Sequence, residues 1–151
     1  MTSFKDILQN RILIVGVAAW VCSQAAKLVI YLLINRKLQW ERLVGDGGMP
    51  SSHSATVTAV ATATGLQCGW DSPVFAVALV LALIVMHDAR GVRQETGKQA
   101  KVINSMLELF ESMGRGDLTP EQTLKEFVGH TQRQVIVGAA LGVVIALLMN
   151  L

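Results

Sequence analysis

The sequence predicts an all-α membrane protein, a bundle of about four transmembrane helices with one or two amphipathic helices between spans three and four. Hydrophobic residues make up 52% of the chain and charged residues only 16%, whereas a soluble domain carries about 25% charged residues. The apolar residues also fall into blocks long enough to span lipid. At 151 residues the chain is expected to form one membrane-embedded domain, residues 1–151.

The first two apolar blocks predict the first two spans. The first covers about residues 12–34, enough at about 1.5 Å per residue to cross a hydrocarbon layer of about 30 Å. A polar connection follows over residues 38–50 and ends in Gly-Asp-Gly-Gly-Met-Pro, which breaks any helix. The second block, about residues 52–68, is rich in Ala, Thr and Val, and such small residues let helices approach closely in lipid.

The remaining blocks predict spans three and four. The third covers about residues 74–86, follows a tight turn into which it is expected to extend, and is expected to end at His87 and Asp88. The fourth covers about residues 135–151 and contains Gly138 and Gly142. Glycines four residues apart share one helix face, so they predict a notch for a neighbouring helix.

The polar stretch 88–133 predicts two further helices. Its apolar residues at i, i+3, i+4 and i+7 form one face of an amphipathic helix, and they are Ile103, Met106, Leu107 and Phe110. Thr119 and Pro120 are typical of a helix start, and that second helix is expected to stop at Gly129. Both helices are expected to lie along the membrane surface or to cover the bundle.

The distribution of Lys and Arg predicts the orientation. With four spans, the connections 36–51 and 88–133 lie on one side and carry ten Lys and Arg, against two for the N-terminal segment and the turn 69–73. The positive-inside rule therefore places the loop-rich side in the cytoplasm.

Composition also excludes several classes. Aromatic residues make up 5%, so no stacking surface for nucleic acid is expected. Cys22 and Cys68 lie in apolar blocks without metal-ligand spacing, and both are expected to pack as small hydrophobic residues.

Four crossings gather the titratable residues at the loop-rich end. The residues concerned are His53, His87, His130, Asp88, Arg90, Arg93 and Lys98. His53 opens span two and His130 opens span four, and a helix N-terminus favours an anion. His87 lacks such a position and is expected to be structural.

Lys27 lies about nine residues inside span one, with Gln24 one turn away on the same face. An ionisable group there costs about 3 kcal/mol unless it snorkels or faces a polar interior. Lining of a pocket is the preferred interpretation, and snorkelling is the alternative. Ser51, Ser52 and Ser54 also fit a purely capping role, and Thr131 with Gln134 fits a capping box.

Residues 47–55, Gly-Gly-Met-Pro-Ser-Ser-His-Ser-Ala, resemble the Pro-Ser-x-His motif of the type-2 phosphatidic acid phosphatase superfamily, which includes vanadium haloperoxidases. Residues 129–135, with Gly138 and Gly142, resemble its last motif. Residues 88–93 and 97–100 are similar to a divergent branch of small membrane proteins within that superfamily.

The resemblance implies a phosphohistidine mechanism without a metal or cofactor. His130 would attack phosphorus and His53 would protonate the leaving oxygen. Lys27, Arg36, Arg90 and Arg93 would hold the phosphate, and its oxygens would lie against Ser51, Ser52 and backbone N–H groups from Gly48 onward. Gln134 and Asp88 are the candidates for orienting these groups. The substrate would be a lipid or isoprenoid phosphate or diphosphate in the bilayer, and a homo-oligomer is compatible with the sequence.

Three positions depart from the superfamily's pattern. Lys27 is followed by Arg36 without the expected Arg-Pro pair, and Leu124 stands where an arginine is expected six residues before the nucleophile. Gln134 stands where an Asp orients the nucleophilic histidine, and loss of that charge in serine proteases costs roughly 10⁴ in rate. The leading hypothesis is therefore a membrane-embedded lipid phosphatase. The alternatives are a protein that binds or translocates phospholipid without turnover and, least favoured, a metal site formed by His53, His87, His130 and Asp88.

Overall fold

The described part of the chain is entirely helical where it has regular structure. The computed structural model describes residues 4–36, 48–114, 124 and 129–150. Its helices are α1 (Phe4–Leu8), α2 (Arg11–Asn35), α3 (Ser52–Cys68), α4 (Pro73–Arg90), α5 (Val92–Ser112) and α6 (Gln132–Met149). The predicted all-α class is confirmed, and α1 is a short helix that the sequence pattern did not indicate.

Helices α2, α4 and α6 carry the membrane character. Within the described residues, three segments are long and apolar enough to cross a membrane: Arg11–Asn35, Gln132–Met149 and Pro73–Ser112, in which α4 leads into α5. The chain is therefore an integral membrane protein with a helical bundle.

Helix α3 has the bounds predicted for the second span but is not one of these apolar segments. It has 17 residues and packs against α2, α4 and α6, so much of its surface faces protein. Thr56 and Thr64 donate their hydroxyl groups to the carbonyl oxygens of Ser52 and Val60, each at 2.8 Å. Because these hydroxyls are satisfied within the helix, α3 can lie inside the bundle despite its threonines.

The bundle packs tightly through small residues. The buried apolar cluster at its centre consists of Val15, Ala19, Ala59, Ala63, Ile145 and Ala146. A Cβ atom on Gly138 would clash with the carbonyl oxygen of Ser51, and one on Gly142 would clash with that of Ala55. The predicted glycine notch therefore exists, and it seats the backbone of α3 against α6.

The helix starts follow from local capping chemistry. The side chains of Asn10, Ser51, Ser72 and Thr131 each accept a hydrogen bond from the backbone N–H three residues later, at the start of α2, α3, α4 and α6. These bonds satisfy amides that have no partner within the helix.

Helix α4 extends beyond the predicted end of the third span. The helix continues through His87 and Asp88 to Arg90, and Gly91 separates it from α5 with φ −87° and ψ −87°. His87 and Asp88 end the apolar block, but polar residues can leave the bilayer without ending a helix. Glycine supplies the break instead.

Helix α5 confirms the predicted amphipathic helix, but most of its apolar stripe faces outward. Ile103, Met106 and Phe110 are exposed, and Leu107 is half-buried. Ala100 and Asn104 are buried, so small and polar residues face the protein. The second predicted loop helix, residues 119–129, lies outside the described residues except for Leu124 and Gly129.

The two cysteines correct another expectation. Cys22 and Cys68 are both exposed free thiols. They lie on the outer surface of α2 and α3, which an apolar protein surface inside a membrane allows without an energetic cost.

Candidate functional site

The structure brings His53 and His130 together at the loop-rich end of the bundle. The centroids of the two imidazole rings lie 5.7 Å apart, and their planes meet at 62° in an edge-to-face arrangement. His130 is 2% exposed and His53 is half-buried. Two rings separated by 77 positions in the sequence thus form one pair.

Parallel packing of α3 and α6 produces this pairing. The N–H of Ser51, just before α3, donates to the carbonyl oxygen of Gln134 in the first turn of α6 at 3.1 Å. The N–H of His130 donates to the carbonyl oxygen of Ala89 in the last turn of α4 at 2.9 Å. The starts of α3 and α6 and the end of α4 therefore share one level, with the imidazoles between them.

Gln134 determines which nitrogen of His130 carries the proton. Its Oε1 lies 3.3 Å from Nδ1 of His130 and accepts the backbone N–H of Thr131 at 3.0 Å. A backbone N–H can only donate, so the side-chain atom that faces it must be the amide oxygen. That oxygen can only accept, and Nδ1 of His130 therefore donates. The neutral ring then has its lone pair on Nε2.

Gln134 thus combines the predicted capping box with a histidine contact. Thr131 and Gln134 make both reciprocal cap bonds, as the spacing predicted. The sequence alone offered capping as a sufficient reason for Gln134. The geometry shows that the same oxygen also orients the ring.

Lys27 turns into the bundle and reaches the start of α3. Its side chain is 5% exposed, and Nζ donates to Oγ of Ser52 at 3.2 Å. Gln24, one turn earlier, is also buried. Gly48 lies beside the lysine, because a Cβ built on it would be 4.0 Å from Cδ of Lys27. The side chain of Lys27 thus faces the interior of the bundle and does not snorkel to its surface.

Positive electrostatic features converge on this end of the bundle. The ammonium group of Lys27 lies against the first residue of α3, where the helix dipole is itself positive. His130 precedes the N-terminus of α6, which has the same polarity. Two helix N-termini and a buried cation make a position that suits an anion such as phosphate.

The serines divide between capping and the site. The hydroxyl of Ser51 accepts from the N–H and the hydroxyl of Ser54, at 3.3 and 3.1 Å. The N–H of Ser51 is bonded to Gln134, so it does not belong to the expected row of phosphate-cradling amides. Ser51 therefore acts as a cap here, whereas Ser52 presents its hydroxyl to Lys27.

The arginines lie at different distances from the histidine pair. Arg36 is exposed in the left-handed conformation at the end of α2, with φ 51°, and lies nine residues, or about 13 Å, along the axis from Lys27. Arg90 is exposed and directly follows Ala89, whose carbonyl holds His130. The structure thus places the backbone of Arg90 next to the residue that bonds His130, whereas the backbone of Arg36 lies more than two helical turns from Lys27.

Three further candidates lie close to the end of α4. Asp88 is half-buried and His87 is exposed in its last turn. Arg93 belongs to the first turn of α5, and its side chain lies outside the described residues. Among the residues that the structure describes, no group of three His, Cys, Asp or Glu side chains could hold a metal ion.

Asn104 is a residue that the sequence analysis missed. It is 7% exposed, and its amide makes two hydrogen bonds to the backbone of Leu124, to the carbonyl at 2.9 Å and from the N–H at 3.0 Å. Leu124 occupies the position where the superfamily's motif has arginine. A polar residue within the amphipathic pattern of α5 was the available signal, but the pattern did not reveal its partner.

A helical membrane bundle in which a histidine pair and a buried lysine meet two helix N-termini defines a phosphatase-like membrane protein. The chain belongs to the Divergent PAP2 family, whose model matches residues 8–145. It is 37% identical over 152 residues to the uncharacterized membrane protein YuiD of Bacillus subtilis (strain 168), and the alignment covers 95% of this chain and 96% of that protein. No solved structure matches it.

Proposed function

We propose that this protein is a membrane-embedded phosphatase of a lipid or prenyl phosphate or diphosphate. The observation that carries the proposal is the pair of imidazoles 5.7 Å apart, with Gln134 holding the proton of His130 on Nδ1. Such a pair offers one nitrogen as a nucleophile and another as a proton donor. The proposal treats residues 1–151 as one domain and uses no metal or cofactor.

The reaction would proceed in two steps. Nε2 of His130 attacks phosphorus while the bond from phosphorus to the lipid oxygen breaks, and His53 donates a proton to that oxygen. Water then attacks the phosphohistidine with His53 as the base, and inorganic phosphate leaves while Nε2 regains its lone pair. One imidazole must be neutral and the other protonated in the first step, a condition that histidine can meet near neutral pH.

The phosphate would lie between the histidines and Lys27. The buried ammonium group and the start of α3 would stabilise the charge on its oxygens. Ser52 and Gly48 lie beside Lys27 and would assist. Arg90 and Arg93, on either side of the junction between α4 and α5, are proposed to supply further positive charge. Basic residues dominate this end of the protein, so we place the site on the cytoplasmic face.

Release of inorganic phosphate by purified protein tests the proposal. Wild-type protein in detergent is expected to release phosphate from phosphatidic acid or a prenyl phosphate, and His130→Ala is expected to abolish release. His87→Ala is the matched control, since His87 is an exposed histidine at the same end, and it should retain activity. Equal rates for wild type and His130→Ala would refute the phosphatase.

A second candidate function is phospholipid binding or translocation without turnover. It is favoured by Gln134, because a neutral amide can orient His130 but cannot stabilise an imidazolium by charge. It is also favoured by Leu124, which supplies no charge where the superfamily's motif has arginine. Lipid phosphate binding without phosphate release from the wild type would favour this function over the first.

A further inference from the structure

An apolar groove runs between α2 and α3 on the outer surface of the bundle. Its volume is about 200 Å³, and it is lined by Leu13, Gly16, Val17, Trp20, Thr56 and Val60. Thr56 supplies a methyl group to this lining, because its hydroxyl donates to the carbonyl oxygen of Ser52 at 2.8 Å. The groove is smaller than the roughly 300–1,000 Å³ of sites that enclose a whole ligand. Its volume and apolar lining suit a single hydrocarbon chain.

The α2 wall of the groove is continuous with the lysine of the site. Val17, Trp20 and Gln24 precede Lys27 at intervals of three or four residues, which places all four on one face of the helix. Trp20 lies seven residues, or about 10 Å, along the axis from Lys27. A hydrocarbon chain attached to a phosphate at Lys27 would have to run along this face past the buried Gln24 to reach the groove.

The α3 wall shows the same register. Ser52, Thr56 and Val60 recur every four residues and share one face. Ser52 accepts the hydrogen bond from Lys27. Val60 lies against Gly16, because a Cβ atom built on Gly16 would be only 2.6 Å from Cγ2 of Val60. The helices are thus antiparallel, and one seam joins the Lys27–Ser52 contact to the groove.

The groove also lies at the correct depth for a lipid chain. Val60 is the middle residue of α3, so the groove reaches the middle of the bundle. Ser52 and Lys27 lie beyond the lining of the groove, toward the polar end of the bundle. In a bilayer, phosphate lies at the boundary and its hydrocarbon chain extends toward the centre. The proposed phosphate site and the apolar groove follow the same order, from the polar end of the bundle toward its middle.

We propose that the groove between α2 and α3 holds one acyl or isoprenoid chain of the ligand whose phosphate lies at Lys27, Ser52 and the two histidines. This inference rests on the phosphate site of the proposed function and names the ligand's class, a phosphate joined to a long hydrocarbon chain. A water-soluble phosphate ester would use the polar end alone. The hydrocarbon chain of the ligand would enter the groove from lipid and not from water. Its binding there would therefore depend on packing contacts rather than on the release of water.

The experiment compares two probes that carry the same phosphate group, dioleoyl phosphatidic acid, which has acyl chains, and glycerol 3-phosphate, which has none. Their dissociation constants are measured on purified wild-type protein in detergent and on Val17→Trp, which fills the groove from its outer edge. Val77→Trp on α4 is the matched control, because Val17 and Val77 are both exposed valines on membrane helices, 53% and 69%, and only Val17 lines the groove.

We expect Val17→Trp to weaken phosphatidic acid binding about tenfold, as overfilling a packed space does, without changing glycerol 3-phosphate binding. Val77→Trp should change neither. Unchanged phosphatidic acid binding in Val17→Trp would overturn the proposal, and so would equal weakening of both probes. Loss of a protein dimer in Val17→Trp with lipid binding intact would identify the groove as a contact between two copies and overturn it as well.

Binding and turnover separate this inference from the proposed function. If wild-type protein binds phosphatidic acid through the groove but releases no phosphate, the phosphatase fails and the groove stands. If it releases phosphate and Val17→Trp binds phosphatidic acid as tightly as wild type, the groove fails and the phosphatase stands. If neither probe binds the wild type, the shared phosphate site fails, and both proposals fail with it.

Discussion

His130 and Gln134 define the chemistry at the scale of single residues. The amide oxygen of Gln134 lies 3.3 Å from Nδ1 of His130, which is a long separation for a hydrogen bond. It holds the ring proton on that nitrogen. It gives His130 an orientation and a tautomer, but no negative charge. Gln134 therefore positions the ring, but it supplies no charge to the imidazolium that forms when Nε2 of His130 bonds to phosphorus.

Gln134→Glu should accelerate phosphate release. Glutamate has the same reach, so it can accept from His130 and from Thr131 while adding a charge that stabilises the imidazolium. We expect kcat to rise about tenfold or more, by analogy with the roughly 10⁴ effect of the charged partner in serine proteases. Gln134→Leu, which cannot accept a hydrogen bond, should lower kcat. Equal rates for the two variants would show that position 134 does not act on the histidine.

Sequence reasoning reached part of this site. His53, His130 and Lys27 could be predicted because helix starts and a charge within a span have local signatures. The capping role of Ser51 was one of two predicted alternatives, and the structure has it. The distance of Arg36 from Lys27 could not be predicted, since it depends on how far α2 extends beyond the start of α3. Asn104 was missed because its partner, Leu124, is distant in sequence and is recognised through its backbone.

At the scale of helices, the contact between α3 and α6 holds the histidines together. Gly138 and Gly142 let the backbone of α3 approach. The hydroxyl of Thr58, whose shortest hydrogen bond is to the carbonyl oxygen of Ser54 at 2.7 Å, lies 3.1 Å from the carbonyl oxygen of Ala139 across the interface. The glycine spacing predicted a notch, but it could not say which helix fills it. Any change that separates α3 from α6 should also separate the two rings.

Gly142→Val should therefore reduce both stability and activity. The added side chain would meet the backbone of Ala55, at a cost of about 1–3 kcal/mol, and we expect a lower Tm in detergent together with loss of phosphate release. Ala140→Val is the control, because Ala140 is exposed on the same helix. A Gly142→Val protein with the Tm of Ala140→Val would contradict this packing.

Helix α5 presents its apolar stripe outward, directly after a helix that crosses the membrane. Met106 is 56% exposed, and Lys101 is exposed on another face. Spin labels at Met106→Cys and Lys101→Cys, in a Cys22→Ala, Cys68→Ala background, should report oxygen access at 106 and access to a water-soluble nickel complex at 101. Aqueous access at both positions would show that α5 does not lie on the bilayer.

At the scale of the whole molecule, the bundle gathers its histidines at one end, and the short turn between α3 and α4 lies at the other. The fold class, the approximate spans and the gathering of histidines were predictable because apolar blocks of membrane length and a short turn constrain the topology. The burial of α3 was not, since its 17 residues and its threonines resemble a weak span until the neighbouring helices surround it.

The orientation of the molecule is testable with cysteine labels. Asp71 is exposed in the turn between α3 and α4, and Lys98 is exposed on α5. In intact cells, in the same cysteine-free background, a membrane-impermeant thiol reagent should label Asp71→Cys and spare Lys98→Cys if the basic side faces the cytoplasm, as the distribution of Lys and Arg predicts. The opposite pattern would place the site on the outer face.

Trapping of the covalent intermediate tests the two-histidine mechanism most directly. Wild-type protein is mixed with a ³²P-labelled lipid phosphate, quenched in alkali, in which phosphohistidine survives, and digested for mass spectrometry. We expect phosphate on the peptide that contains His130, none in His130→Ala, and slower formation in His53→Ala. Turnover without phosphate on His130, or phosphate on another residue, would contradict it.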